Sequence, residues 1–153
     1  MTTVLTRVAI VAAQWHHEIV DEAVAEFVDR LTGSGEFTVD VYRVPGAFEI
    51  PFHVKRLAAR GGYAAIAASA LVVDGGIYRH EYVAGAVIDA LMRVQLESDV
   101  PVFSGVLTPH QFHEHAEHLA YFRRHLRVKG GELADAVTAT LASLNTISQE
   151  PPA

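Results

Sequence analysis

Short strand-like segments that alternate with stretches of helical hydrophobic spacing constrain this chain more than any other feature. Val8-Ala9-Ile10-Val11-Ala12-Ala13 is a continuous apolar run, without the polar alternation of a strand that has one wet face. Val20, Val24, Phe27, Val28 and Leu31 then recur at helical spacing, and Gly33-Ser34-Gly35 stops that helix. Phe37 to Val44 alternates as a strand, with Phe37, Val39 and Val41 on one face. Pro45-Gly46 breaks it, and a helix is predicted from about Phe48 to Arg60, ended by Gly61-Gly62.

The same alternation continues. Ala64 to Val73 reads as a second buried strand, followed by the loop Asp74-Gly75-Gly76-Ile77-Tyr78. Val83, Val87, Leu91 and Val94 mark the inner face of a helix that ends before Pro101. Val102 to Leu107 is the fourth strand, and two further helices are predicted over His110 to Arg124 and Glu132 to Leu144. Strands and helices in alternation imply a parallel sheet with right-handed crossovers and helices on both faces. The expected fold is an α/β three-layer, flavodoxin-like sandwich around a central four-stranded parallel sheet. One domain is expected over residues 1–147, with a disordered tail at 148–153 where Pro151-Pro152 ends any helix.

With 153 residues, the chain has the size of one domain with a substantial core. Its formal charge of −6 argues against nucleic acid or an anionic membrane as partner. Ala64 to Val73 is about half the roughly 20 apolar residues that a membrane-spanning helix needs. No basic start, apolar block and cleavage site opens the chain, so a cytoplasmic location is expected. The absence of cysteine removes disulfides, thiolate metal sites and cysteine nucleophiles.

In open α/β sheets ligands bind beyond the carboxyl ends of the strands. Here that rule selects Gln14-Trp15-His16, Pro45 to Glu49, Asp74 to Glu81 and Thr108 to His110. Trp15, the single tryptophan, suits either a core or interface position or a flat platform for a planar heterocycle. Glu49 sits where a carboxylate complements a helix N-terminus, or where it accepts hydrogen bonds from a polyhydroxylated ligand. Gly75-Gly76 precedes a helix and suits close approach to an anion, although it matches neither the dinucleotide fingerprint nor the P-loop. His110, His113, His115, His118 and His125 form a cluster with pairs at metal-binding spacing. No second acidic or histidine pair completes a set, so no metal is expected.

Val44-Pro45-Gly46-Ala47-Phe48-Glu49-Ile50-Pro51 closely resembles the V-P-G-A-F-E-I-P signature of the lumazine synthase family. The resemblance runs without a gap from about Arg7 to Leu107 and returns at Lys129-Gly130, similar to the pair that opens the family's last helix. It implies a condensation of 5-amino-6-(D-ribitylamino)uracil with 3,4-dihydroxy-2-butanone 4-phosphate, with no cofactor. It also implies pentamers or larger shells with active sites between neighbouring subunits, a dimer of pentamers being favoured here. By the same resemblance, Trp15 stacks on the pyrimidine, and Ala47, Phe48 and Glu49 hold the ring and ribityl chain. Leu71, Val72 and Val73 offer backbone contacts, and Gly76 and Ile77 frame the phosphate.

Some positions depart from the family pattern. Arg79 stands where the family has a proton-shuttling histidine, with His80 one residue later. Imidazole exchanges protons near neutrality, whereas guanidinium stays charged. Neighbouring residues on a helix point about 100° apart, so Arg79 and His80 are alternatives for assisting proton or charge movement. Asp74 replaces an arginine, Ile77 a hydroxyl residue, and Ser104 a phenylalanine near the second substrate. His118 falls at the position of the phosphate-binding arginine by ungapped counting, with Arg123, Arg124 or Arg127 as alternatives. These departures resemble a divergent second type of the family. The rival reading is a weakly catalytic or non-catalytic flavin- or lumazine-binding paralogue.

Overall fold

The computed structural model describes residues 3–73, 80–109 and 116–152, with His80 and Ala116 described by backbone alone. Its strands are β1 (Thr6–Ala13), β2 (Phe37–Val44), β3 (Ala65–Leu71) and β4 (Val102–Leu107). The helices are α1 (His17–Gly33), α2 (Ile50–Arg60), α3 (His80–Ser98) and α4 (Ala116–Gln149), with a 3-10 turn at Ala47–Glu49. All strands pair in parallel, in the order β2-β1-β3-β4.

Strand β1 lies between β2 and β3 in the sheet, so both its edges are hydrogen-bonded. Its faces are equally enclosed. Val8, Ile10 and Ala12 pack with α1 and α4, whereas Ala9, Val11 and Ala13 pack with α2 and α3. The continuous apolar run is therefore what a strand without a wet face requires. The three-layer parallel sandwich expected from the sequence is the fold observed.

At the entry end of the sheet a polar cluster ties β1, β2 and the start of β3 together. The Tyr63 hydroxyl donates to Asp40 at 2.6 Å, Arg7 donates to Asp40 at 2.9 Å, and the Arg7 guanidinium lies 4.7 Å above the Tyr63 ring. Burial, and then the hydrogen bond to Asp40, push the Tyr63 hydroxyl well above the usual phenol range. This anchor lies at the opposite end of the strands from the loops selected above.

Helix α4 corrects the sequence expectation of two helices. It runs unbroken from Ala116 to Gln149 through Val128-Lys129-Gly130-Gly131-Glu132, and so extends past Leu144 into the stretch expected as tail. The glycines serve packing instead of termination. A Cβ on Gly130 would fall 2.2 Å from the carbonyl oxygen of Ala23 on α1, and one on Gly131 would lie 2.8 Å from the Arg30 guanidinium. Arg30 reaches across to Asp135 at 2.9 Å, and Arg127 to Glu22 at 2.6 Å, on either side of this crossing. A glycine in a helix costs about 1 kcal/mol relative to alanine, a loss that close helix contact offsets.

Gly130→Ala is therefore expected to destabilise the protein by about 1–3 kcal/mol through overpacking, read as a lowered urea midpoint. A gain of about 1 kcal/mol, as at a glycine exposed in a helix, contradicts this account of the crossing.

Candidate functional site

The strand order makes the chain turn one way from β1 to β2 and the other way from β1 to β3. The crevice of an open α/β sheet lies at such a reversal, beyond the carboxyl ends of the strands. The exits of β1 and β3, carrying Trp15 and Leu71–Val73, flank this point, and the exit of β2 adjoins it.

Parallel pairing of β1 and β2 continues beyond the strands. The Gln14 N–H donates to the Val44 carbonyl at 2.8 Å and the Trp15 N–H to the Pro45 carbonyl at 3.1 Å. The chain then turns sharply at His16, whose φ of 58° lies in the left-handed region. That conformation costs a non-glycine residue roughly 1–2 kcal/mol. The His16 carbonyl accepts the N–H groups of Ile19 and Val20, starting α1 immediately behind the turn. Trp15 is thereby held at the strand exit with 54% of its surface exposed. It does not belong to the core of a single copy, which leaves an interface position or a platform for a planar ligand.

Gly46 seats that indole. A Cβ on Gly46 would meet Trp15 Cε3 at 2.8 Å and Cδ2 and Cζ3 at 3.0 Å. The near equality of these distances places Gly46 under the face of the six-membered ring. The Gly46 N–H also donates to Glu49 Oε2 at 3.1 Å, and the Glu49 N–H returns a bond to the Gly46 carbonyl at 3.3 Å. Glu49 is half-buried, and its Oε1 accepts no hydrogen bond among the described residues. Trp15 and Glu49 thus meet at one backbone position, the indole on its Cα and the carboxylate on its N–H. Ala47 is buried beside them, whereas Phe48 is 67% exposed.

Leu71 and Val72 are buried at the exit of β3, and Val73 is half-buried. The Val72 N–H donates to the Leu107 carbonyl at 2.8 Å, which leaves its carbonyl as the group it can offer a ligand. On the α4 side, a cavity of about 350 Å³ opens at the exits of β3 and β4. Leu71 and His118 both line it, together with Thr108, Tyr121 and His125. Tyr121 and His125 stack with ring planes 7° apart, and His118 packs on Phe122 with ring centroids 4.7 Å apart. A polar recess of about 450 Å³ lies beside Trp15, lined by Gln14, His17, Asp21 and Arg43, with Arg43 paired to Asp21.

The candidate residues thus fall into two groups along the strand exits. Trp15, Ala47, Phe48 and Glu49 gather at β1 and β2, and Leu71 and His118 gather at β3 and β4. Ser104 stands apart, exposed on the edge strand β4, with its Oγ accepting the Val106 N–H at 3.3 Å. Gly76, Ile77 and Arg79 lie outside the described residues, as do Asp74, His110, His113 and His115. His80 is described only as the first residue of α3. Among the described residues no group of three or more histidine, cysteine or acidic side chains is placed to hold a metal ion, and no helix is long and apolar enough to cross a membrane. Sequence reasoning gave no role to Gly46, although its place between Pro45 and Glu49 was visible. Nor did it bring Tyr121 to the cavity that His118 lines.

Fold and strand exits together define a parallel α/β protein of the kind that takes small ligands in a crevice past the sheet. Comparison with known proteins narrows this class. Residues 5–145 match the family model described as 6,7-dimethyl-8-ribityllumazine synthase. The chain is 59% identical over 143 residues to 6,7-dimethyl-8-ribityllumazine synthase of Rhodococcus erythropolis, covering 92% of each chain. It is 53% identical over 141 residues to 6,7-dimethyl-8-ribityllumazine synthase 2 of Bradyrhizobium diazoefficiens, covering 92% of this chain and 86% of that one. A similar protein of Pseudomonas syringae, with the same name, is 51% identical over 143 residues, covering 92% of this chain and 84% of the relative. The chain belongs to the 6,7-dimethyl-8-ribityllumazine synthase family, transferases of riboflavin biosynthesis.

The hydrogen bond from Gly46 to Glu49 has a measurable consequence. Glu49→Ala leaves the Gly46 N–H without its acceptor and is expected to lower stability by about 1 kcal/mol. Glu49→Gln keeps an acceptor and is expected to stay within about 0.5 kcal/mol of the parent in urea unfolding. Equal losses for both variants contradict a role for this bond in holding the turn.

Proposed function

We propose that this chain condenses 5-amino-6-(D-ribitylamino)uracil with 3,4-dihydroxy-2-butanone 4-phosphate to form 6,7-dimethyl-8-ribityllumazine, with Trp15 and Glu49 as the centre of the pyrimidine site. The observation that carries this reading is the shared seat of the indole and the carboxylate on Gly46. Trp15 offers the exposed face of its ring to the pyrimidine. Glu49, with Oε2 already anchored, offers Oε1 to hydroxyls of the ribityl chain. Ala47 and Phe48 border the same ligand, and Leu71, Val72 and Val73 present backbone groups to its ring.

In the reaction the 5-amino group attacks the ketone and water leaves as the imine forms. Phosphate is then eliminated from the four-carbon unit, and the ribityl-bearing nitrogen closes the ring with loss of a second water. These steps need two substrates held in register, and fixing reactants in this way supplies several kcal/mol of a barrier. Gly76, Ile77 and His118 are assigned to the phosphate, and Ser104 to the wall near the second substrate. Arg79 or His80 assists charge or proton movement. The reaction uses no metal or organic cofactor.

Ser104, exposed on the edge strand β4 and apart from the other candidate residues, supports a site completed between copies of the chain. A single copy also exposes Phe48 and Phe52 beside the pyrimidine site, and Met92 and Leu96 along α3. Apolar surface of this extent suits burial in a homo-oligomer. A pentamer is assigned, and a dimer of pentamers as the complete assembly. Relatives named as the second synthase support placing the chain with the divergent second type. The assembly is assigned to the cytoplasm, without nucleic acid or membrane as partner.

Steady-state synthesis from both purified substrates tests the reading. The parent protein is expected to form the lumazine well above the uncatalysed rate. Trp15→Ala is expected to raise KM for the pyrimidine by about five- to a hundredfold, since a base–aromatic stack contributes ~1–3 kcal/mol, with KM for the phosphorylated ketone little changed. Tight ring binding with no rate above background overturns the catalytic reading in favour of a binding paralogue. An unchanged pyrimidine KM in Trp15→Ala overturns the assignment of the platform.

A further inference from the structure

Gly46 has no side chain, and neither its conformation nor its hydrogen bonds require that. Its φ of −145° and ψ of −179° describe extended backbone that any residue adopts. Both of its bonds to Glu49 use backbone atoms that alanine also has. The obstacle to a Cβ is the indole of Trp15, 2.8 Å away at Cε3. Carbon atoms prefer to be about 3.5–4.0 Å apart, so a methyl group here displaces the ring by about 1 Å. The Trp15 backbone is held by its hydrogen bond to Pro45, and the left-handed turn at His16 follows directly. The ring therefore yields outward, on the side where it is exposed.

We infer that Gly46 is a positioning residue for the pyrimidine substrate: the absence of a Cβ sets the depth of the Trp15 ring relative to the Glu49 carboxylate. This inference rests on the proposed platform role of Trp15. The stacked ring and the ribityl chain belong to one molecule, so the height of the stack fixes how far the hydroxyls lie from Glu49. A displacement of about 1 Å takes a hydrogen bond of ~2.8 Å beyond useful range, and errors of that size cost up to about a hundredfold in positioned reactions. Gly46 links the two contacts because the indole rests on its Cα while the carboxylate is tied to its N–H.

The test uses Gly46→Ala, Trp15→Leu and the double variant, each as the assembled protein. Binding of 6,7-dimethyl-8-ribityllumazine is measured by calorimetry. Emission is recorded without ligand, since Trp15 is the only tryptophan. Gly46→Ala is expected to weaken binding at least tenfold and to shift Trp15 emission to longer wavelength. In the Trp15→Leu background, where a flexible side chain moves aside, the same change is expected to alter affinity less than twofold.

Binding within twofold of the parent with unshifted emission overturns the inference, as does a tenfold loss that persists without the indole. Should Gly46→Ala fail to assemble, recovery in the double variant assigns the failure to the same contact and supports the inference, whereas failure of both overturns it. Absence of lumazine binding by the parent removes the pyrimidine-site reading itself, and the inference with it. Normal parent binding with an indifferent Gly46→Ala removes the Gly46 role alone.

Discussion

Strand β1 is enclosed on all four sides, hydrogen-bonded to β2 and β3 at its edges and covered by helices on both faces. From Val8 to Ala13 no side chain reaches water, so none of these positions has room for a polar or charged group. Chemistry has to begin where the enclosure ends, at Gln14 and Trp15. The strand order places this exit next to those of β2 and β3, which brings the V-P-G-A-F-E-I-P segment against it. The location of the candidate site thus follows from how the middle of the sheet is buried.

Close approach to a glycine recurs at two points with different consequences. At Gly130 the missing Cβ admits the backbone of Ala23 and lets α4 lie against α1. At Gly46 it admits an aromatic ring that stays about half exposed. Both contacts join residues distant in sequence, and both use the space that a methyl group would otherwise fill. The first makes the layer behind the sheet compact. The second gives the strand exit a flat, apolar surface next to an anchored carboxylate.

The fold was legible because its signals are local and repeated. Continuous apolar runs marked β1 and β3, and helical spacing marked α1 and α3. The reading failed at α4, where Gly130-Gly131 has the composition of a helix end. Whether such a pair stops a helix or allows two helices to touch depends on Ala23 and Arg30, more than a hundred residues away in the chain. Trp15 and Glu49 were legible as candidates from their place at strand exits and from the family signature. Their common seat was not, because Gly46 shows nothing in sequence of its contact with Trp15. The split between the β1–β2 and β3–β4 groups was also hidden, since strand order is not written in the order of segments. The loop carrying Gly76, Ile77 and Arg79 lies outside the described residues, so the phosphate assignments rest on resemblance.

In the proposed site one ligand is gripped jointly by the Trp15 ring and the Glu49 carboxylate. The most direct measurement is a crystal structure of the assembled protein with 6,7-dimethyl-8-ribityllumazine bound. The bicyclic ring is expected to stack on the Trp15 indole, about 3.5 Å away, with a ribityl hydroxyl within hydrogen-bond distance of Glu49 Oε1. A ligand seated elsewhere, or one touching Trp15 while Glu49 faces only solvent, contradicts it.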